Sequence, residues 1–186
     1  MGICANKIAF TNFGAILLAR QSVDWSLASW RSAISGPHID YGTGLSALDF
    51  VVRACRPNEA SSVLKLWEQT RSEHASMPDC LDDVARLLSH DAGSLLVADA
   101  GGVIVGALIA ASDGWRGNMY RLAVRVEHRR AGIGLALVRA GEQHLVRQGA
   151  NRVTALVANE DEAAVSFWEA AGYPKDHEIG RHVRNQ

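Results

Sequence analysis

Cysteine is scarce in this chain: there are three in 186 residues, Cys4, Cys55 and Cys80, odd in number and far apart. They make neither a disulfide framework nor a metal-ligand pair, so a reducing cytoplasm is the expected compartment and no metal site is expected. Charge of one sign is lacking as well. The formal net charge is −1, which gives no overall field to draw in nucleic acid or an anionic membrane. Long hydrophobic runs are absent too. The apolar stretch behind Lys7, Ile8 to Ala19 (IAFTNFGAILLA), is interrupted by Thr11, Asn12 and Gly14. No small-residue cleavage site follows it, and it is too short to span a bilayer. There is no internal repeat and no low-complexity tract.

What is present is an ordinary globular composition, 48% hydrophobic and 21% charged, in a chain long enough to bury a core without staples. The stretch SGPHIDYGTGLS, Ser35 to Ser46, is rich in turn formers and reads as a linker. Residues 1–47 are therefore expected to be an N-terminal extension, either a flexible, peripheral arm or the product of an upstream start codon, and residues 48–186 one domain.

Within that domain the apolar spacing predicts a strand over Phe50 to Cys55, with Arg56-Pro57-Asn58 leading into a helix from Ala60 to Arg71. A second helix is expected over Leu81 to Leu88, with Pro78 and Asp79 as its start signal. Ser94 to Ala98 and Val103 to Ala110 flank Gly101-Gly102, a hairpin signal. Tyr120 to Val126 reads as a strand and Gly134 to Gln148 as a helix with Leu135, Val138 and Leu145 inward. A buried strand over Arg152 to Val157, a helix over Asp161 to Ala171 and a closing strand over His177 to Val183 complete the order. Asn159 and Glu162 have the spacing of a capping box for the last helix. The result is a mixed α/β domain.

Residues 129 to 134, RRAGIG, raise the functional question. Glycines leave the backbone unhindered, so several N–H groups can point at one anion, and the helix that follows adds its positive dipole end. Arg129 and Arg130 add charge. The plain alternative is a turn into a helix beside two solvated arginines. No lysine-serine or lysine-threonine pair follows, so this is not a nucleoside-triphosphate loop. Gly132-x-Gly134 continues into Ala136 and Leu137, so the third glycine of the dinucleotide fingerprint is missing.

An arginine, two residues, a glycine, one residue and a second glycine, between a strand and a helix, resembles motif A of the GNAT acetyltransferase superfamily. That motif grips the pyrophosphate of acetyl-CoA. Phe167 to Tyr173, FWEAAGY, resembles the family's FYExxGF signature, and Leu122-Ala123-Val124 stands where its fourth strand pairs with the pantetheine arm. Asp113 to Gly117, DGWRG, and Gly180 to Val183, GRHV, resemble a bacterial branch of the family. The resemblance spans residues 49–184. It implies the GNAT fold, a mixed central sheet of about six to seven strands flanked by about four helices.

The same resemblance implies acetyl transfer from acetyl-CoA, as cosubstrate, to a primary amine by direct attack. The amine belongs to a small molecule or to a protein N-terminus or lysine. Cofactor contacts are expected from Leu122, Ala123, Val124, Arg129, Arg130, Ala131, Gly132, Ile133, Gly134 and Asp161, with a backbone N–H near Val124 polarising the thioester. Asp161 stands where the family has an asparagine. Trp168 stands where the family's acid is a tyrosine; an indole N–H donates a hydrogen bond but does not readily lend its proton, so packing is the alternative role. Asn118 and Leu156 occupy positions where a basic glutamate is common. The catalytic candidates are thus Tyr120, as a base acting directly or through water, and Trp168. His128, beside the loop, reads as a solvated turn residue. Asp113, Trp115 and Arg116 are the acceptor-side candidates, with a turn held by an Asp–Arg pair as the alternative, and Trp67 is either a pocket wall or core. No nucleic acid or membrane partner is expected, and a homodimer stays open. An acyl-CoA sensor with little turnover is the competing function.

Overall fold

A computed structural model describes residues 49–70, 79–180, 182 and 184. They all fall within a compact unit running from Leu45 to Gln186; the expected N-terminal extension, Arg71 and Pro78 lie outside the described residues. Five strands form one sheet in the order β1-β2-β3-β4-β5. They are β1 (Val51–Ala54), β2 (Leu95–Ala100), β3 (Val103–Ser112), β4 (Gly117–Val124) and β5 (Val153–Ala155). The first four pair antiparallel, and β4 pairs β5 in parallel. Four helices accompany them: α1 (Ala60–Gln69), α2 (Leu81–His90), α3 (Ile133–Arg147) and α4 (Glu162–Ala170).

The sheet separates two cores. α1 and α2 bury Val63, Leu66, Trp67, Val84 and Leu88 against one face, while Leu137, Val138, Leu145 and Trp168 from α3 and α4 pack on the other. Covered on both sides, β3 is buried at every residue from Ile104 to Ala110. That explains its near-continuous apolar run. No helix among the described residues is long and apolar enough to cross a membrane.

The structure departs from the sequence expectations at several points. The sheet has five strands rather than six or seven. Residues 177–180 form no strand, and Arg181 and Val183 lie outside the described residues. Ile179 is exposed, and the three residues of β5 offer only a short edge on which to pair. α4 is capped not by Asn159 but by Asp161, whose carboxylate accepts a hydrogen bond from Ala164 N at 3.0 Å. Leu135 is exposed, because the first turn of α3 overhangs a cleft rather than the sheet.

An ion cluster joins β1 to its neighbours: the Arg53 guanidinium lies 2.6 Å from Glu59 and 2.7 Å from Asp99, with all three side chains 80% or more shielded from solvent. Hydrogen bonding to Arg53, ahead of smaller contributions, holds the Glu59 carboxyl at about 2, down from 4.5, and lowers Asp99 as well. A carboxyl depressed by folding stabilises above its unfolded pKa and loses that contribution as pH falls through its folded pKa. The thermal midpoint is therefore expected to drop between about pH 4.5 and pH 2. In thermal melts recorded against pH, Glu59→Gln should flatten that part of the curve; an unchanged acid limb would show that the cluster does not govern it.

Candidate functional site

The site begins where two strands part. β4 and β5 are paired at Gly117–Val153, Asn118–Thr154 and Met119–Ala155, and the last link is Leu156 N–H to Met119 O at 3.0 Å. Beyond it, Tyr120 to Val124 form one bank and Leu156 to Ala158 the other of a cleft of about 1510 Å³. A bulge in β4 shapes the first bank. From Ala107 to Ile109, β3 advances two residues while β4 runs three, from Ala123 back to Tyr120. The extra residue falls at Arg121–Leu122, and Arg121 is left-handed at φ 56.

This irregularity directs the backbone that follows. Arg125 N–H bonds Val105 O at 2.9 Å. By the alternation of an antiparallel ladder, Ala123 then pairs with Ala107 through hydrogen bonds, and the amide of Val124 points away from β3 toward the edge that lines the cleft.

At the far end stands the loop. After a 3-10 turn over Val126–His128, Arg129 Nε donates to Val124 O at 3.3 Å, and Arg130 is left-handed at φ 64. Gly132, at φ 79, is the N-cap of α3 and has no side chain to cap it. The first helical bond runs from Ala136 N–H to Gly132 O. The amides of Ile133, Gly134 and Leu135 therefore lie ahead of it in the first turn, at the positive end of a 15-residue helix. α4, by contrast, has its first turn closed by Asp161. The two signature stretches also meet. A Cβ placed on Gly134 would come within 3.2 Å of Phe167, so α3 and α4 approach as closely as a glycine permits.

The cleft collects most of the residues expected from the sequence. Tyr120, Leu122, Ala123, Val124, Arg129, Arg130, Gly132, Ile133, Gly134, Asp161 and Trp168 line it; Ala131 is exposed in the loop and does not. Trp168 is 5% exposed and meets the rings of Phe167 and Tyr173 edge to face at 5.6 and 5.2 Å. Burial raises the Tyr120 hydroxyl above the ordinary tyrosine value, so it stays protonated at neutral pH. His128 is not a solvated turn residue: it lines the cleft, and its Nδ1 is buried without a hydrogen-bond partner among the described residues.

Asp113, Trp115 and Arg116 stand elsewhere, on the β3–β4 turn, outside the cleft lining. Asp113 Oδ1 accepts from Trp115 N at 2.9 Å and from Arg116 N at 2.6 Å, and the Arg116 guanidinium sits 4.4 Å over the Trp115 ring. Those amides, Arg116 first, hold the Asp113 carboxyl below its usual range. The stretch is a self-contained turn.

Sequence reading missed Arg121, Asp79 and Leu135, which also line the cleft, as does Leu156 at one of the glutamate positions. The bulge had no glycine or proline to announce it. Leu135 was concealed because it lies three residues from Val138 and so shares the spacing of the buried face.

A family model described as the acetyltransferase (GNAT) family matches residues 60–173. An acetyltransferase of Sodalis glossinidius is 31% identical over 122 residues, 66% of this chain and 85% of its own. Among solved structures, Ard1 from Thermoplasma volcanium superposes with a TM-score of 0.59 at 20% identity, over 66% of this chain and 81% of that one. AAC(6')-Iy, in complex with a bisubstrate analogue of CoA and acetylneamine, gives 0.60 at 18% identity, over 74% of this chain and 99% of that one.

Proposed function

The chain belongs to the GNAT acetyltransferase family and is an acyltransferase, and from that premise we propose that it moves an acetyl group from acetyl-CoA to a primary amine by direct attack. The observation that carries this reading is the joining of two features in one cleft: a first helical turn with no capping side chain and a β4 edge whose Val124 amide is not used by the sheet. An anion of diphosphate size fits the first, since three consecutive amides, a helix dipole and two arginines converge there. An extended amide-bearing arm fits the second. Acetyl-CoA supplies the activated acyl group.

The residues then divide the work. Gly132, Ile133, Gly134, Arg129 and Arg130 hold the phosphates, and Leu122 to Val124 hold the arm. The Val124 amide polarises the thioester carbonyl, an interaction of the kind worth about 2.7–4 kcal/mol in transition-state stabilisation. Asp161 contributes as the cap of α4, fixing the helix that carries Phe167 and Trp168. Tyr120, kept neutral by burial, serves as a proton donor at the leaving thiolate better than as a base; the ammonium of the acceptor gives up its proton to water in the cleft. The similarity in fold to a protein holding a CoA–acetylneamine analogue supports a cleft that takes cofactor and amine together. The bacterial branch assignment and the division at residue 47 belong to the same proposal. The alternative of a sensor without turnover is not favoured, because the relatives are themselves acetyltransferases.

The test is thiol release from acetyl-CoA across a panel of small amines, peptide N-termini and lysine peptides. Turnover above background with one class supports the reading, and coenzyme binding without transfer to any class overturns it. With the amine so found, Tyr120→Phe should lower kcat by about 10- to 100-fold, as loss of a positioned proton donor does. Affinity for coenzyme A should stay the same by calorimetry. An undiminished kcat removes Tyr120 from the chemistry.

A further inference from the structure

The bulge of β4 needs an explanation of its own. Arg121 is left-handed at φ 56, a conformation that costs a residue with a Cβ roughly 1–2 kcal/mol and persists only where the surroundings over-determine it. Among the described residues, two contacts from outside the sheet bear on it. Trp67 of α1, itself 5% exposed, donates its indole Nε1–H to the carbonyl oxygen of Arg121 at 3.2 Å. Asp79, just ahead of α2, lies 2.7 Å from the Arg121 guanidinium. One contact fixes the backbone of the bulge and the other its side chain, and both come from the α1–α2 side, which also lines the cleft through Asp83 and Arg86.

We infer that Trp67 and Asp79 are positioning residues for acetyl transfer, clamping the Arg121 bulge so that the β4 edge presents the Val124 amide to the thioester carbonyl. The inference rests on the proposed acetyl-CoA chemistry of the same cleft. Only Leu122 and Ala123 separate Arg121 from Val124, and β4 is held there on one side only, by β3. A backbone free to relax at Arg121 would shift the register of that edge, and an amide displaced by a fraction of an ångström loses much of its hold on a developing negative charge. The buried indole of Trp67, which shares the core-facing side of α1 with Val63 and Leu66, then has a use beyond filling the core.

The experiment compares wild type with Trp67→Phe, which keeps the aromatic packing and removes the donor, and with Asp79→Asn, which keeps the shape and removes the charge. The readouts are kcat, KM for each substrate, thermal midpoint and the infrared carbonyl stretch of bound acetyl-CoA. Each variant is expected to lower kcat about tenfold, a fraction of what losing an oxyanion donor outright costs. KM for acetyl-CoA should change little, and the carbonyl stretch should move toward its value in water. The double variant should be little worse than the more damaging single one, since both act on one element. Asp79→Glu, which keeps the charge, should recover part of kcat. Unchanged kcat and carbonyl stretch in both single variants would overturn the inference. So would an Asp79→Asn variant that raises only KM for the amine, because Asp79 would then be holding the acceptor itself. Wild type that transfers no acetyl group at all would count against the proposed function, a result distinct from either of these.

Discussion

Gly132→Glu is expected to weaken coenzyme A binding by at least about 100-fold, some 2.7 kcal/mol, while leaving the protein folded. The expectation follows from the N-cap of α3. Gly132 sits at φ 79 with open space where a Cβ would go, so the substitution brings backbone strain of about 1–2 kcal/mol but no collision. The new carboxylate would stand beside the amides of Ile133, Gly134 and Leu135, the ones left without a capping side chain. It would serve as an internal anion there, much as Asp161 does for α4. The charge interacts favourably with the helix dipole by about 0.3–1 kcal/mol, which offsets part of the strain. The cofactor's diphosphate would then face an occupied helix terminus and a like charge. Calorimetric titration with coenzyme A checks the loss, with Gly132→Ala as the control that adds strain but no charge and should retain most of the affinity. Equal affinities for wild type and Gly132→Glu would show that the phosphates bind elsewhere.

Trp168→Ala should cost about 3–5 kcal/mol of stability, a cavity penalty for a large aromatic side chain. In a chain of this size that lowers the thermal midpoint by roughly 10 °C. The side chain is 5% exposed and makes edge-to-face contacts with both Phe167 and Tyr173, so truncation empties the junction of α3 and α4 beside the loop. Trp168→Phe tests the other role suggested by the position. If packing is the whole contribution, the phenylalanine variant is less stable than wild type but keeps kcat within about threefold, because no proton was being donated from the indole. A fall of two orders of magnitude in kcat without a matching loss of stability would mean that the indole N–H takes part in the reaction. Chemical denaturation and steady-state turnover separate the two outcomes.

The parts of this molecule that could be read from the sequence are those whose pattern is local. Gly101-Gly102 between two apolar runs placed the β2–β3 hairpin, and the order of strands and helices up to α4 followed from spacing. RRAGIG could be recognised because it resembles the family's motif A; its glycines and arginines alone fit a plain turn into a helix as well. What could not be read was set by tertiary contact. The bulge at Arg121 meets Trp67, 54 residues away in sequence, through a hydrogen bond and Asp79 through an ion pair. Nothing in YRLAV marks it. The described part of the strand expected over His177 to Val183, residues 177–180, does not pair for a related reason: pattern shows that a segment is fit to pair, but a partner edge of three residues decides how much pairing there is. DGWRG is a case where the sequence allowed two readings, contact with a substrate or a turn held by its own residues, and the local geometry supplies the turn: Asp113 Oδ1 accepts from the Trp115 and Arg116 amides.

The divergence of β4 and β5 has a consequence for how a long, jointed molecule gets in. A cofactor with an extended arm normally has to pry apart whatever covers its berth, and each rung broken slows its arrival. Here the chain's own ladder between β4 and β5 stops at Met119, and the Val124 amide is turned away from β3 toward the cleft. Docking can then proceed by sliding into a slot already of the right shape, so uptake should be governed by diffusion and by the pull of Arg129 and Arg130 rather than by rearrangement of the fold.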